Sequence, residues 1–168
     1  MKEVTLETER LILRMFREED FEAYAKLTAD PKVMQFIGGK TLDRLEAWRS
    51  MAFFIGHWHL RGYGQWAVVE KTSGNFLGRI GFMNPATWPA FELGWTLARE
   101  YWGRGYATEG ARRCLEYGFK ELNRPHIISL IHPDNQPSIR VAERLGEKVE
   151  GKTQLLGHEV LIYGIDHP

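Results

Sequence analysis

Cysteine is almost missing from this chain: Cys114 is the only one in 168 residues. A lone thiol closes no internal disulfide and cannot build a multi-thiolate metal site. An excess of either charge is missing too. Lys and Arg (22) balance Asp and Glu (22), for a formal net charge of +0. Nothing therefore draws the chain as a whole to nucleic acid or to an anionic membrane. No apolar run approaches the roughly 18 residues of a membrane span, and no signal-like stretch follows the charged start MKEVTLETER. Linkers, low-complexity tracts and repeats are absent as well. These absences lead to one expectation, a single cytoplasmic domain over 1–168, long enough to bury a sizeable core.

What is present reads as alternating strand and helix signals. RLILRMF (10–16) is a short apolar strand candidate, and REEDFEAYAKLTAD (17–30) carries Phe21, Tyr24, Ala25 and Leu27 at near-helical spacing. Asp30-Pro31 has the form of an N-cap followed by proline in the first helical position. Residues 41–61 predict a long helix with two offset stripes: Leu42, Leu45, Trp48, Ala52 and Ile55, then Met51, Phe54 and Trp58. Gly62 and Gly64 end it.

Three strands follow, QWAVVEK (65–71), FLGRIGFM (76–83) and AFELGWTL (90–97), separated by the turn-forming TSGN and NPATWP. A helix over roughly 105–122 has Ala107, Ala111, Leu115 and Phe119 on one face. HIISLIH (126–132) is a β-branched strand, PSIRVAERLG (137–146) a helix stopped by glycine, and two closing strands fall near 147–152 and 155–165. The sum is an α+β fold on one mixed sheet of about seven strands.

The segment with the most specific chemistry is REYWGRGYATEG (99–110). Glycine in a helix interior costs about 1 kcal/mol relative to alanine, so Gly103 and Gly105 at a helix start call for a reason. A dinucleotide fingerprint would need a third glycine where Thr108 stands. A nucleotide-triphosphate loop started at Gly105 and closed at Gly110 would need Lys and Ser/Thr where Ala111 and Arg112 stand. Both patterns fail, yet a strand, a tight turn and outward-pointing helix amides remain. Such a helix end attracts anions, and missing β-carbons let a phosphate approach the main chain. The competing reading is a turn that merely connects strand to helix.

ELGWTLAREYWGRGYATEGARRCLEYGF resembles the acetyl-CoA-binding motif of the GNAT superfamily of N-acetyltransferases, Q/R-x-x-G-x-G/A, which falls on Trp102-Gly103-Arg104-Gly105-Tyr106-Ala107. The first position departs, with Trp102 for Gln or Arg. TERLILRMFREEDFEAY, DPKVMQFIGG and HPDNQPSIRVAERLG are similar, in the same order, to the ribosomal-protein (RimJ/RimL-like) branch. The resemblance implies a three-layer fold whose central, mixed and mostly antiparallel twisted sheet is flanked by helices. It also implies acetyl-CoA as co-substrate, with its pyrophosphate held by the amides of residues 102–108, so by Trp102, Gly103, Arg104, Gly105, Tyr106, Ala107 and Thr108. Its pantetheine would run along the strand edge Trp95, Thr96 and Leu97, and Asn135 would reach the far end of the arm. The implied partner is a small-molecule amine or a protein N-terminal amine, with no nucleic acid, membrane or metal, and the branch is compatible with a homodimer.

An amine attacks a thioester only as the free base. The chemistry therefore asks for a base, donors for the developing oxyanion, and an acid for the thiolate. Glu92 is the base candidate, since it interrupts the otherwise apolar AFELGWTL. Strand alternation puts it on one face with Gly94 and Thr96, opposite Leu93, Trp95 and Leu97. The competing reading is a carboxylate on a solvated or ion-paired sheet face. Ser138 is the acid candidate, three residues after Asn135, because Ala142 stands where many relatives carry tyrosine; it could equally cap the helix expected from Pro137. Cys114 reads as a small buried residue, and His57 and His59 point to different helix faces, which argues against a metal site. Met51, Phe54 and Trp58 suit either the core or an acceptor pocket. Glu147 stands where the branch has Phe or Met. A CoA-binding module without turnover, and a transferase using another acyl-CoA, are the alternative functions.

Overall fold

A computed structural model describes residues 3–168, so Met1 and Lys2 of the single-domain reading lie outside it. The strands are β1 (Leu6–Glu7), β2 (Leu11–Arg14), β3 (Gln65–Glu70), β4 (Phe76–Met83), β5 (Glu92–Leu97), β6 (His126–Ile131), β7 (Lys148–Leu155) and β8 (His158–Asp166). The helices are α1 (Phe21–Thr28), α2 (Pro31–Met34), α3 (Arg44–Arg61), α4 (Tyr106–Lys120) and α5 (Gln136–Leu145). The strands form one sheet in the order β1-β2-β3-β4-β5-β6-β8-β7. All neighbours run antiparallel except β5 and β6. Eight strands replace the expected seven because β1 has two residues, too few for alternation to show.

Local signals account for most element ends. Asp30 caps α2 by accepting from the Lys32 amide at 2.9 Å. Asp43 and Glu46 exchange side-chain and backbone bonds at the start of α3, and Gly62 closes that helix at φ 75°. The helix expected over 17–30 is shorter. It begins as a 3₁₀ turn, Glu18–Asp20, because the buried Asp20 carboxylate is taken by both Arg14 Nη atoms at 2.8 Å and by the Arg17 amide.

Two layers of helices cover the sheet. Phe16, Tyr24, Met51, Phe54 and Ala67 form the core on the α1/α3 side. The larger core lies on the other face, where Leu13, Val68, Ile80, Phe82 and Leu93 meet Ala111, Cys114, Leu115 and Phe119 of α4. Of the two stripes on α3, the core takes Met51, Phe54 and Trp58, while Leu45, Trp48 and Ile55 stay exposed. Helix α4 lies close to the sheet at Gly118, where a β-carbon would come within 2.7 Å of Ile127 Cδ1 and 2.9 Å of Phe82 Cζ. Among the described residues, no helix is long and apolar enough to cross a membrane.

The sheet contains one break in its pairing. Strands β5 and β6 share a single ladder position, Glu92 with Ile128, and then part. Antiparallel pairing continues on both flanks, from β4 to β5 over six positions and from β6 to β8 over six. A wedge therefore opens in the middle of the sheet toward the carboxyl ends of β5 and β6.

Gly81 sits on the floor beside this wedge at φ 151°. A β-carbon there would press on the Gly64 carbonyl and come within 2.8 Å of Gln65 Cα. These are backbone atoms that cannot rotate away. Gly81→Ala is expected to destabilise the fold by about 2–3 kcal/mol, read as a lowered denaturant midpoint; an unchanged midpoint would contradict this packing.

Candidate active site

The wedge opens into a cleft of about 1450 Å³ that runs from the start of α4 to the β7–β8 hairpin. Every residue expected to bind acetyl-CoA or to act as base or acid lines it except Arg104. The Arg104 carbonyl accepts from Arg10 Nη1 at 2.9 Å, and its guanidinium lies 5.8 Å from the Tyr101 ring centre.

At the α4 end, Gly103 and Gly105 both adopt left-handed φ, 73° and 80°. This conformation by itself requires glycine, so backbone strain adds to the steric reason expected from sequence. The space is nonetheless open: a β-carbon on Gly103 would meet nothing within 4 Å. Gly105 is the N-cap of α4 and supplies no side-chain cap. The amides of Gly103, Arg104 and Gly105 donate to no protein acceptor among the described residues. With the first amides of α4 they form a set of unpaired donors at the positive end of a 15-residue helix. A diphosphate fits this donor set. Trp102 does not join it: its amide donates to the Arg99 carbonyl at 3.1 Å, and its indole holds the Leu97 carbonyl at 2.8 Å.

The turn is fixed in place by Glu109. Its carboxylate accepts from the Thr8 hydroxyl at 2.6 Å, the Arg10 amide at 2.9 Å and Arg10 Nε at 2.7 Å. Burial alone would raise this carboxyl, but those donors outweigh it and hold it below the usual range.

Along β5, Thr96 and Leu97 are buried and Trp95 is half-buried. The Trp95 indole donates to Ser138 Oγ at 3.3 Å. Asn135, not Ser138, caps α5: its Oδ1 accepts from the Ser138 amide at 3.3 Å, and the helix starts at Gln136 rather than Pro137. The Ser138 hydroxyl thus receives one hydrogen bond and keeps its own proton to donate into the cleft.

Glu92 stands where β5 and β6 part. Burial raises its carboxyl to about 7, opposed by the Trp88 indole at 2.5 Å, the Leu130 amide and the charge of Arg79. Near neutral pH this group exchanges its proton readily, as a general base must.

The remaining candidates are structural. Cys114 is fully buried within α4, and burial pushes its thiol up, away from the reactive thiolate. His57 accepts from the Asn84 amide at Nε2 (3.0 Å), so Nδ1 carries the proton and donates to the Tyr63 carbonyl at 2.9 Å. Of the Met51 stripe, only Phe54 reaches the cleft.

Four residues escape a reading by segment: Gln65, Arg79, Ser129 and Glu147. Only Glu147 carried a signal, as a charge after a helix stop. It is 3% exposed, its Oε1 lies 3.0 Å from Ser129 Oγ, and its Oε2 has no partner. Ser129 Oγ is also 2.8 Å from the Leu93 carbonyl. One hydroxyl proton cannot serve both acceptors. A protonated Glu147 resolves this by donating to Ser129, which donates to Leu93. The carboxyl is raised to about 8, chiefly by burial, with Glu92 and Glu150 adding to the rise and Ser129 and His126 opposing it.

The chain matches the Acetyltransferase (GNAT) domain model over residues 10–148. It is 32% identical over 144 residues to the uncharacterized N-acetyltransferase YnaD of Bacillus subtilis, covering 86% of this chain and 82% of that one. A solved acetyltransferase from Agrobacterium tumefaciens superposes with a TM-score of 0.88 at 32% identity, covering 98% and 95% of the two chains. RimL, a ribosomal L7/L12 α-N-protein acetyltransferase in complex with coenzyme A, shares the fold at a TM-score of 0.80 and 20% identity, over 97% and 98%.

Because Glu147 holds its proton more tightly folded than unfolded, the folded state binds more protons between about 4.5 and about 8. Stability therefore falls as pH rises through that window. Glu147→Gln is expected to make the slope shallower by about 1.4 kcal/mol per pH unit, the effect of one proton. Denaturant titrations at pH 5, 6, 7 and 8 check this, and parallel slopes would refute a buried neutral carboxyl.

Proposed function

The chain belongs to the GNAT acetyltransferase family, whose fold uses acetyl-CoA for N-acetylation, and we propose that it moves the acetyl group to a primary amine by direct attack in a ternary complex. The observation that carries this reading is Glu92, held near neutrality at the apex of the wedge between the Trp88 indole, the Leu130 amide and Arg79. A carboxyl near 7 is well matched to an α-amine at about 7.7–8.0 and poorly matched to a lysine amine at about 10.4. In this reading the acceptor is a small-molecule amine or a protein N-terminal amine.

Acetyl-CoA supplies the thioester carbonyl and the leaving thiolate. The donors at Gly103, Arg104, Gly105 and the first turn of α4 receive its pyrophosphate. The unpaired edge at Trp95 and Thr96 guides the pantetheine arm, since the Leu97 carbonyl is already held by Trp102. Asn135 spends its oxygen on α5 and keeps its amide hydrogens for the arm. Glu92 takes the amine proton as the C–N bond forms, and the Ser138 hydroxyl donates to the thiolate as the C–S bond breaks. The catalytic unit is the single domain 1–168, alone or as a homodimer.

Thiol release from acetyl-CoA with a panel of primary amines tests the reading. The rate limb near pH 7 is expected to vanish in Glu92→Gln, with turnover lowered about 100-fold or more and the KM for acetyl-CoA changed far less. A limb kept by the variant removes Glu92 as base. Stabilisation by CoA without thiol release from any amine would make the protein a binding module. Gly103→Val combines left-handed strain with a side chain in the donor nook, so CoA affinity measured by calorimetry should fall about tenfold or more; unchanged affinity would place the diphosphate elsewhere.

A further inference from the structure

The reaction proposed above leaves its acceptor undefined, and the sheet face that carries Glu92 narrows it. Register sets Gly94 beside Gly81, and Gly81 beside Gln65. Three adjacent strands thus contribute two glycines and one amide to a shallow floor. Glu92, paired with Met83, bounds the floor at one end; Arg79, paired with Thr96, bounds it at the other. Gln65, Arg79, Met83, Glu92 and Gly94 all line the cleft. Glu92 and Thr96 are four residues apart on β5, about 13 Å at roughly 3.3 Å per residue. Two long side chains reach into that span from opposite ends, and Glu92 feels the charge of Arg79.

Arg79 is placed with care but left without a counter-ion. Its Nη1 donates to Gln65 Oε1 at 3.1 Å, and the Gln65 orientation is fixed because Nε2 donates to the Gly81 carbonyl at 2.7 Å. The guanidinium packs 4.6 Å from the Phe54 ring centre. Its Nε is buried and has no partner. Among the described residues Arg79 forms no ion pair and Nη1 is its only hydrogen-bonded nitrogen, unlike Arg10, Arg14 and Arg44, each of which meets a carboxylate. Nη2 has no protein partner and, unlike Nε, is not shut off from solvent, so it is the charged donor left free for a ligand carboxylate. Leaving such donors unmet in a partly buried site is costly, and an anionic ligand group would offset that cost.

We propose that the acceptor is an amine that also carries a carboxylate, with the amine at Glu92 and the carboxylate on Arg79 across the Gly81–Gly94 floor. The inference rests on the acetyltransferase reading for turnover, but the anion contact is separable from it.

The experiment compares matched amines: short amino acids, their carboxamides, and an aminophosphonate. Wild-type kcat/KM, read by thiol release, is expected to favour the carboxylate over the carboxamide about 10-fold or more. That ratio should collapse toward one in Arg79→Gln, with CoA-induced thermal stabilisation showing that the variant folds. Gln65→Glu, which supplies Arg79 with an internal carboxylate, should lower the ratio independently. A wild-type ratio near one, or a ratio kept in Arg79→Gln, overturns the inference while the acetyltransferase reading stands. Preference for the phosphonate overturns the carboxylate assignment. If no amine releases thiol, the acetyltransferase reading fails; thermal shifts of the CoA-loaded protein with the same compounds then decide the Arg79 contact, a carboxylate-selective shift lost in Arg79→Gln supporting it and equal shifts refuting it.

Discussion

The structure turns on one parallel ladder position, Glu92 with Ile128, after which β5 and β6 separate. In a continuous sheet the next amide on β6 would meet the Leu93 carbonyl. Here the Ser129 hydroxyl takes that carbonyl, while the Leu130 amide supports the Glu92 carboxylate. The lost ladder bonds are thus replaced by side-chain bonds at the wedge, which satisfies the buried backbone and leaves a free strand edge in the interior of an otherwise continuous sheet. The opening cannot widen freely, because both strands are zipped to antiparallel partners on their outer sides.

The wedge also shapes the electrostatics. Glu92 lines the cleft and Glu147 is buried behind Ser129, where the charge of Glu92 adds to the proton affinity of Glu147. Their environments differ. Glu92 has three sources of stabilisation for its charge, from Trp88, Leu130 and Arg79, whereas Glu147 has one hydrogen bond, to Ser129, the charge of His126, and an oxygen with no partner. Both carboxyls are raised above the usual range, but Glu92 faces the cleft while Glu147 sits behind Ser129. Tying Glu147 down as a neutral donor keeps a second negative charge away from Glu92. The α4 end of the cleft is the reverse case, where unpaired amides favour anions.

Much of the fold was legible in short segments. The Asp30-Pro31 cap, the glycine stop of α3, the three central strands and the cofactor-type turn before α4 all stand within a few residues of where periodicity and turn chemistry placed them. Family resemblance supplied the cleft-lining residues of β5, the turn and α5, of which only Arg104 lies outside the cleft. Two readings needed the third dimension. The stripes of α3 were equally apolar in sequence, and packing alone chose Met51, Phe54 and Trp58 over Leu45, Trp48 and Ile55. The 17–30 helix was shortened by a carboxylate, Asp20, that bonds back to β2.

By itself, the sequence determined whatever depends on a residue and its immediate neighbours: the left-handed glycines at 103 and 105, the caps, the strand alternation that puts Glu92, Gly94 and Thr96 together. These are set by backbone sterics and local hydrogen bonds, which act within one turn of chain. Only the tertiary structure decided the proton affinities of Glu92 and Glu147, the missing counter-ion of Arg79 and the Gly81–Gly94 floor. The floor comes from strand register, and the rest from desolvation and charge between segments apart in sequence; dielectric surroundings are a property of the packed whole rather than of any segment.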